Sequence, residues 1–184
     1  MVRNVARRSI EPSAGRDEYD ARLAALGRVQ GFLSRSTFYM VPLSELVTAE
    51  LKAVGNEASS KVVVAGPPVE LPGEGVQTIA LALHELATNA VKYGAIAQPS
   101  GRISVTWHVV AGDAPGGERL VIEWRESGVT MPAGPPSRRG YGSELITKAL
   151  PYQLNAETLL EFSDDGVHCR IALPASAFSV APAE

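Results

Sequence analysis

Apolar positions recur at helical spacing early in the chain. Tyr19, Leu23, Leu26, Val29 and Leu33 stand three or four residues apart, which draws one stripe along a helix. Asp17 is a suitable cap for it, and the helix is expected to run to about Ser34. An arginine-rich helical stub over residues 1–10 is expected before it. The run Glu11-Pro12-Ser13-Ala14-Gly15 breaks the two apart. Two such helices cannot bury the stripe alone, so it needs the rest of the chain or a second copy.

From about Phe38 the pattern changes to mixed helix and strand. A helix is expected from Leu43 to Val54, with Ser44 near its start and Gly55 stopping it. Residues 61–65 (Lys-Val-Val-Val-Ala) read as a strand closed by Gly66-Pro67-Pro68. Residues 75–93 form the strongest helical pattern. Residues 103–109 alternate as a half-buried strand, and residues 119–124 read as the next strand, joined to it by a hairpin loop over 113–117. Residues 128–142, rich in Gly and Pro, predict an irregular loop. A helix over 143–153 and a closing hairpin about Asp164-Asp165-Gly166 complete the pattern. Strands in adjacent pairs among separate helices predict an α+β class with a mostly antiparallel sheet and helices on one face. Residues 176–184, rich in Ala, Ser and Pro, predict a loose tail.

Composition fits a folded domain. The 184 residues are 45% hydrophobic and 20% charged, and 17 Lys+Arg against 20 Asp+Glu give a net charge of −3. That balance argues against a nucleic-acid partner, which would need clustered cations. No apolar run approaches the roughly 20 residues of a membrane helix. Arg3, Arg7 and Arg8 break any signal-peptide core. The single cysteine, Cys169, excludes an intrachain disulfide and a cysteine-rich zinc site. The expectation is a cytoplasmic protein.

Candidate chemistry gathers on the 75–93 helix. Ile79, Leu83, Leu86 and Ala90 fall on one arc, the core stripe. Glu85, Asn89 and Lys92 share a second, polar face. A carboxylate, an amide and an ammonium stacked over two turns suit a metal–phosphate ligand. Glu85 can accept a proton or orient a water, the Asn89 oxygen is a hard Mg²⁺ ligand, and Lys92 can meet phosphate. The plainer reading is a solvated face. Gly140-Tyr141-Gly142-Ser143 opens a helix, where free N–H groups can meet phosphate, and Arg138 and Arg139 precede it. A plain turn into a helix would look the same. Glu126 ends a strand just before Gly128 and can accept from an exocyclic amine such as that of adenine; an exposed polar strand end is the alternative. His84 reads as a packing histidine, His108 and His168 read as surface or filler residues, and Met40 and Cys169 carry no signal.

In this order the motifs resemble the ATP-binding domain of the GHKL superfamily, which includes gyrase and the histidine kinases. More closely, they resemble HWE-type sensor histidine kinases. That group has a histidine in its N-box and a later Trp-x-Glu. Here the N-box reads from Leu83-His84-Glu85 through Asn89 to Lys92-Tyr93-Gly94-Ala95, the second motif is Trp124-Arg125-Glu126, and the glycine box is Arg139-Gly140-Tyr141-Gly142-Ser143. The resemblance implies a GHKL two-layer sandwich over residues 38–175, after a truncated two-helix dimerisation hairpin over 1–37. It implies a protein histidine kinase using ATP and Mg²⁺. Glu85 would be general base or water orienter, and Asn89 the Mg²⁺ ligand. Lys92, Tyr93, Glu126, Gly128, Arg139, Gly140, Gly142 and Ser143 would contact ATP, with Glu126 at the adenine position. The implied partners are a second copy, through the N-terminal helices, and the receiver domain of a response regulator. The family's acceptor box, His-Arg-x-Lys-Asn, has no match here, and the expected histidine would lie upstream of Met1. Two other readings stand beside this one: a non-catalytic phosphotransfer or adaptor protein, and a serine kinase of the anti-sigma type. The helix over 17–34 argues against the serine kinase.

Overall fold

The computed structural model describes residues 14–35, 40–55, 60–112, 117–130 and 141–180. The chain is α+β, as the pattern predicts. A five-stranded sheet is built from β2 (Val62–Ala65), β4 (Arg102–Ala111), β5 (Glu118–Ser127), β6 (Glu157–Ser163) and β7 (Gly166–Pro174). Its order is β2-β4-β5-β7-β6. Only β2 and β4 run parallel; the other pairs are antiparallel. The helices are α1 (Ala14–Arg35), α2 (Leu43–Ala53) and α3 (Gly73–Lys92), with a composite helix after residue 140.

The sheet's alternation decides where the core lies. On β4, Ile103, Val105 and Trp107 are buried, and on β5, Leu120, Ile122 and Trp124. They join Val76, Ile79, Leu83 and Leu86 of α3 in one core cluster. Register lines Val105, Trp124, Cys169 and Leu160 up in a row across four strands. Side chains of one row in neighbouring strands touch, which makes the row a unit of sheet stability. Gly66 lies where a Cβ would stand 2.3 Å from the Trp107 ring, so only glycine fits there. The Trp107 indole N–H donates to the Pro67 carbonyl at 2.7 Å.

Several features differ from the pattern. Helix α1 begins at Ala14 and carries Gly15 inside it, ahead of the expected cap at Asp17. Its buried line is Ala25 and Val29, while Tyr19 stays exposed. Packing against α3 selects that face of α1, so the rest of the chain covers part of the stripe. A second, three-stranded sheet joins β1 (Met40–Pro42), β3 (Val69–Pro72) and β8 (Ser179–Val180) in the order β1-β3-β8. Strands of two to four residues leave too little alternation to be read from sequence. Strand β8 lies in the stretch expected to be loose. It pairs with Val69 and Glu70, and Phe178 packs against the core.

The helix expected over 143–153 has three parts: α4 (Tyr141–Glu144), a π-helical stretch (Leu145–Ala149) and α5 (Leu150–Leu154). Pro151 has no N–H to give and its ring crowds the carbonyl four residues back, which accounts for the widened turn before it. The stub expected over 1–10, most of the 113–117 loop, and residues 131–140 of the expected irregular loop lie outside the described residues.

Candidate functional site

Helix α3 presents the predicted polar face. Glu85 is half-buried, while Asn89, Lys92 and Tyr93 are exposed. Tyr93 caps the helix, its N–H donating to the Asn89 carbonyl at 2.8 Å. The Asn89 side chain makes no hydrogen bond among the described residues, so its amide oxygen is open to a cation.

Glu85 and the glycine box come together. A Cβ on Gly142 would stand 2.9 Å from the Glu85 Cβ and 3.1 Å from its Oε2. Glycine at 142 therefore lets the start of α4 close onto the N-box helix. Ser143 is half-buried one residue on, with its carbonyl accepting from Thr147 Oγ1 at 2.7 Å. Arg139 and Gly140 lie outside the described residues.

Helix α1 lies over this face. Arg22 Nε donates to Glu85 Oε1 at 2.5 Å, and the same guanidinium sits 4.3 Å from the Tyr141 ring centroid. One turn earlier, Glu18 accepts from Lys92 Nζ at 2.9 Å. Pairing 18 with 92 and 22 with 85 makes α1 antiparallel to α3. The Lys92 ammonium holds the Glu18 carboxyl below its ordinary pKa, against an opposing effect of burial.

A third contact ties α1, α2 and α3 together. Glu50 of α2 is 1% exposed. It accepts from Arg28 Nε at 3.0 Å, and from a second guanidinium nitrogen of Arg28. His84 Nδ1 lies 3.0 Å from Glu50 Oε2. Burial works to raise the Glu50 pKa, but the hydrogen bonds and charge of His84 and Arg28 prevail and hold it below the usual value. His84 is buried although it lies outside the apolar arc of α3. It is buried because α1 and α2 cover that second side of α3. Sequence reasoning missed Arg22, Arg28 and Glu50. For Glu50 a signal existed: it continues the line Leu43, Leu46, Val47 on the buried side of α2. A carboxylate on an apolar stripe asks for a partner.

At the far end of the site, Glu126 is 7% exposed at the end of β5. The Ala95 N–H donates to its Oε2 at 2.7 Å, and the Trp124 indole N–H donates to its Oε1 at 3.1 Å. Burial raises its pKa, and those two donors oppose the rise only in part. Gly94 is confined by the same carboxylate, since a Cβ there would stand 2.0 Å from Oε2. Gly128 takes φ +69°, donates to Asp165 Oδ1 at 3.0 Å, and has no room for a Cβ beside the Ser100 carbonyl. The structure thus groups Glu85 with Gly142, and sets Glu126 beside the loop that follows α3. No cluster of three or more His, Cys, Asp or Glu that could hold a metal occurs among the described residues. A cation here would rest on Asn89 and on whatever oxygens its ligand brings. No described helix is long and apolar enough to cross a membrane.

Comparison with known proteins bears on the family and the fold. Residues 1–68 match the HWE histidine kinase family. That match ends before α3. A blue-light-activated histidine kinase of Rhizobium johnstonii is 30% identical over 84% of this chain and 43% of its own length. Its counterpart in Brucella anthropi is 28% identical over 96% of this chain and 36% of its own. The chain therefore spans less than half the length of these relatives. Among solved structures, the histidine kinase domain of a blue-light activated histidine kinase from Erythrobacter litoralis has a TM-score of 0.64. It is 20% identical and covers 87% of this chain and 80% of that one. At that identity the likeness speaks for the fold.

Proposed function

We propose that this chain, an HWE-type histidine kinase by its resemblances, is the ATP-binding and phosphoryl-transferring region of a two-component signalling protein. The observation that carries the reading is the convergence of Glu85 with Gly142, with Asn89, unpartnered among the described residues, one turn along the same helix. Phosphoryl transfer needs positioning and charge neutralisation more than covalent help from the protein. Asn89 would hold Mg²⁺, which supplies neutralisation of the phosphate oxygens. Lys92 would add a second positive charge. Glycine at 142 lets the start of α4 approach Glu85, and the N–H groups there would meet phosphate. Glu85 would take the proton from an attacking imidazole or orient it. Glu126 would accept from the adenine amino group, and Tyr93, Gly128, Arg139, Gly140 and Ser143 would complete the contacts with ATP. The reading extends to a second copy of the chain as dimer partner, and to a response-regulator receiver domain as the protein that takes the phosphoryl group.

Transfer requires Glu85 and Lys92 to leave Arg22 and Glu18. The arrangement described above is thus a resting one, with α1 docked on the site. The same two ion pairs favour the adaptor reading, in which α1 closes the pocket permanently and no nucleotide enters. An Asn89→Ala variant separates the two. Loss of Mg²⁺-dependent ADP binding in the variant, against metal-dependent binding in the parent, supports the kinase reading. Binding in the variant with unchanged metal dependence removes the role given to Asn89.

A further inference from the structure

The spacing Trp-x-Glu has a geometric meaning on β5. Residues two apart in a strand point to the same face. Trp124 and Glu126 both point inward, at 2% and 7% exposure. The Trp124 side chain then reaches along the strand, and its indole N–H donates to Glu126 Oε1 at 3.1 Å. Indole nitrogen is a donor only, so this bond fixes which carboxylate oxygen faces the tryptophan. The other oxygen is fixed by the Ala95 N–H at 2.7 Å. Gly94 closes on that oxygen. A glutamate has one more rotatable bond than an aspartate, so holding its carboxylate in one place takes an extra restraint.

We propose that Trp124 is a positioning residue for nucleobase recognition: its indole N–H, with the Ala95 N–H, fixes the Glu126 carboxylate so that the remaining lone pairs meet a 6-amino purine. The inference rests on the reading of Glu126 as the adenine contact. Two pre-set donors remove the reorganisation that a free glutamate would undergo on binding. They also favour the ionised form of a desolvated carboxylate. Burial pushes the Glu126 pKa up, and Trp124 and Ala95 pull it back. Among the described residues no charged side chain on α3, β4, β7 or the 94–101 segment contributes to that balance. Trp124 itself is held in place by its row neighbours, Val105 and Cys169.

The test is affinity for ADP and for IDP, which carries a 6-oxo group in place of the 6-amino group. It is measured on the full chain for the parent, Trp124→Phe and Glu126→Gln. The parent is expected to prefer ADP, and Glu126→Gln to lose the preference. Trp124→Phe should lower the preference about tenfold, the effect of one hydrogen bond to a charged group. Its ADP binding should also fail at a higher pH on the acid side than in the parent, because a donor that favours the ionised carboxylate is gone. A change that only loosened packing would weaken ADP and IDP alike and leave the acid limb where it was; that result overturns the proposal. If Glu126→Gln keeps the ADP preference, the adenine role of Glu126 falls, and this inference with it. If Trp124→Phe does not fold, the indole N–H resonance of Trp124 in the parent decides. It should move with pH at the same midpoint as ADP binding, and a resonance blind to that transition contradicts the proposal.

Discussion

Cys169 shows how burial sets chemistry at a single residue. It is buried in the middle strand row, and burial alone pushes its thiol up to about 12. A thiol with that pKa is almost wholly protonated at pH 8, and the thiolate is the reactive form. Cys169 should stay unlabelled by iodoacetamide in the native protein and react at once in guanidinium; mass spectrometry reads both states. Glu50 shows the opposite shift. Its folded pKa lies below the ordinary value, so its ion pair adds stability above about pH 4, and that stability is lost as pH falls. Removing one partner of a buried pair leaves a charge uncompensated. Arg28→Ala should therefore cost about 2–3 kcal/mol at neutral pH, with His84 still in place. Thermal unfolding across pH checks this: the gap between parent and variant should narrow as Glu50 protonates.

At the scale of elements, α1 matters most. It sets Glu18 against Lys92 and Arg22 against Glu85. A carboxylate beside the expected phosphate side competes with the ligand. Glu18→Ala should therefore tighten ADP binding a few-fold at low salt, and less at high salt, because the pair is exposed and screened. Melting temperature should barely change. Weaker binding in that variant would show that α1 assists the nucleotide. Residue spacing made α3 legible, since its apolar arc and polar face both follow one helical period. It could not show α1 lying across that face. The ion pairs join residues 63 and 74 positions apart, and no local pattern records such distances. Likewise β4 and β5 were legible because each is a ten-residue strand rich in β-branched and aromatic residues, with alternation clear over the first part of β4. Strands β1, β3 and β8 were not, because their pairing is non-local and each is at most four residues long.

On the scale of the whole molecule, the class of fold follows from strands in adjacent pairs with helices between them. The order of motifs along the chain carried more than any one motif. A Glu-x-x-x-Asn helix, a strand ending in an acid and a glycine, and a Gly-x-Gly helix start are each weak alone. In the structure, Glu85 meets Gly142, and Glu126 meets the loop after α3. The partners of His84, Glu50 and Arg28, and the packing of residues 175–180 had to come from the structure, because both depend on elements arriving from elsewhere in the chain. The central claim is that this assembly holds Mg-nucleotide. Calorimetric titration of the chain with ADP, with and without Mg²⁺, tests it most directly. Saturable, metal-dependent binding with one nucleotide per chain is expected. No heat of binding at millimolar ADP with Mg²⁺ present would contradict it.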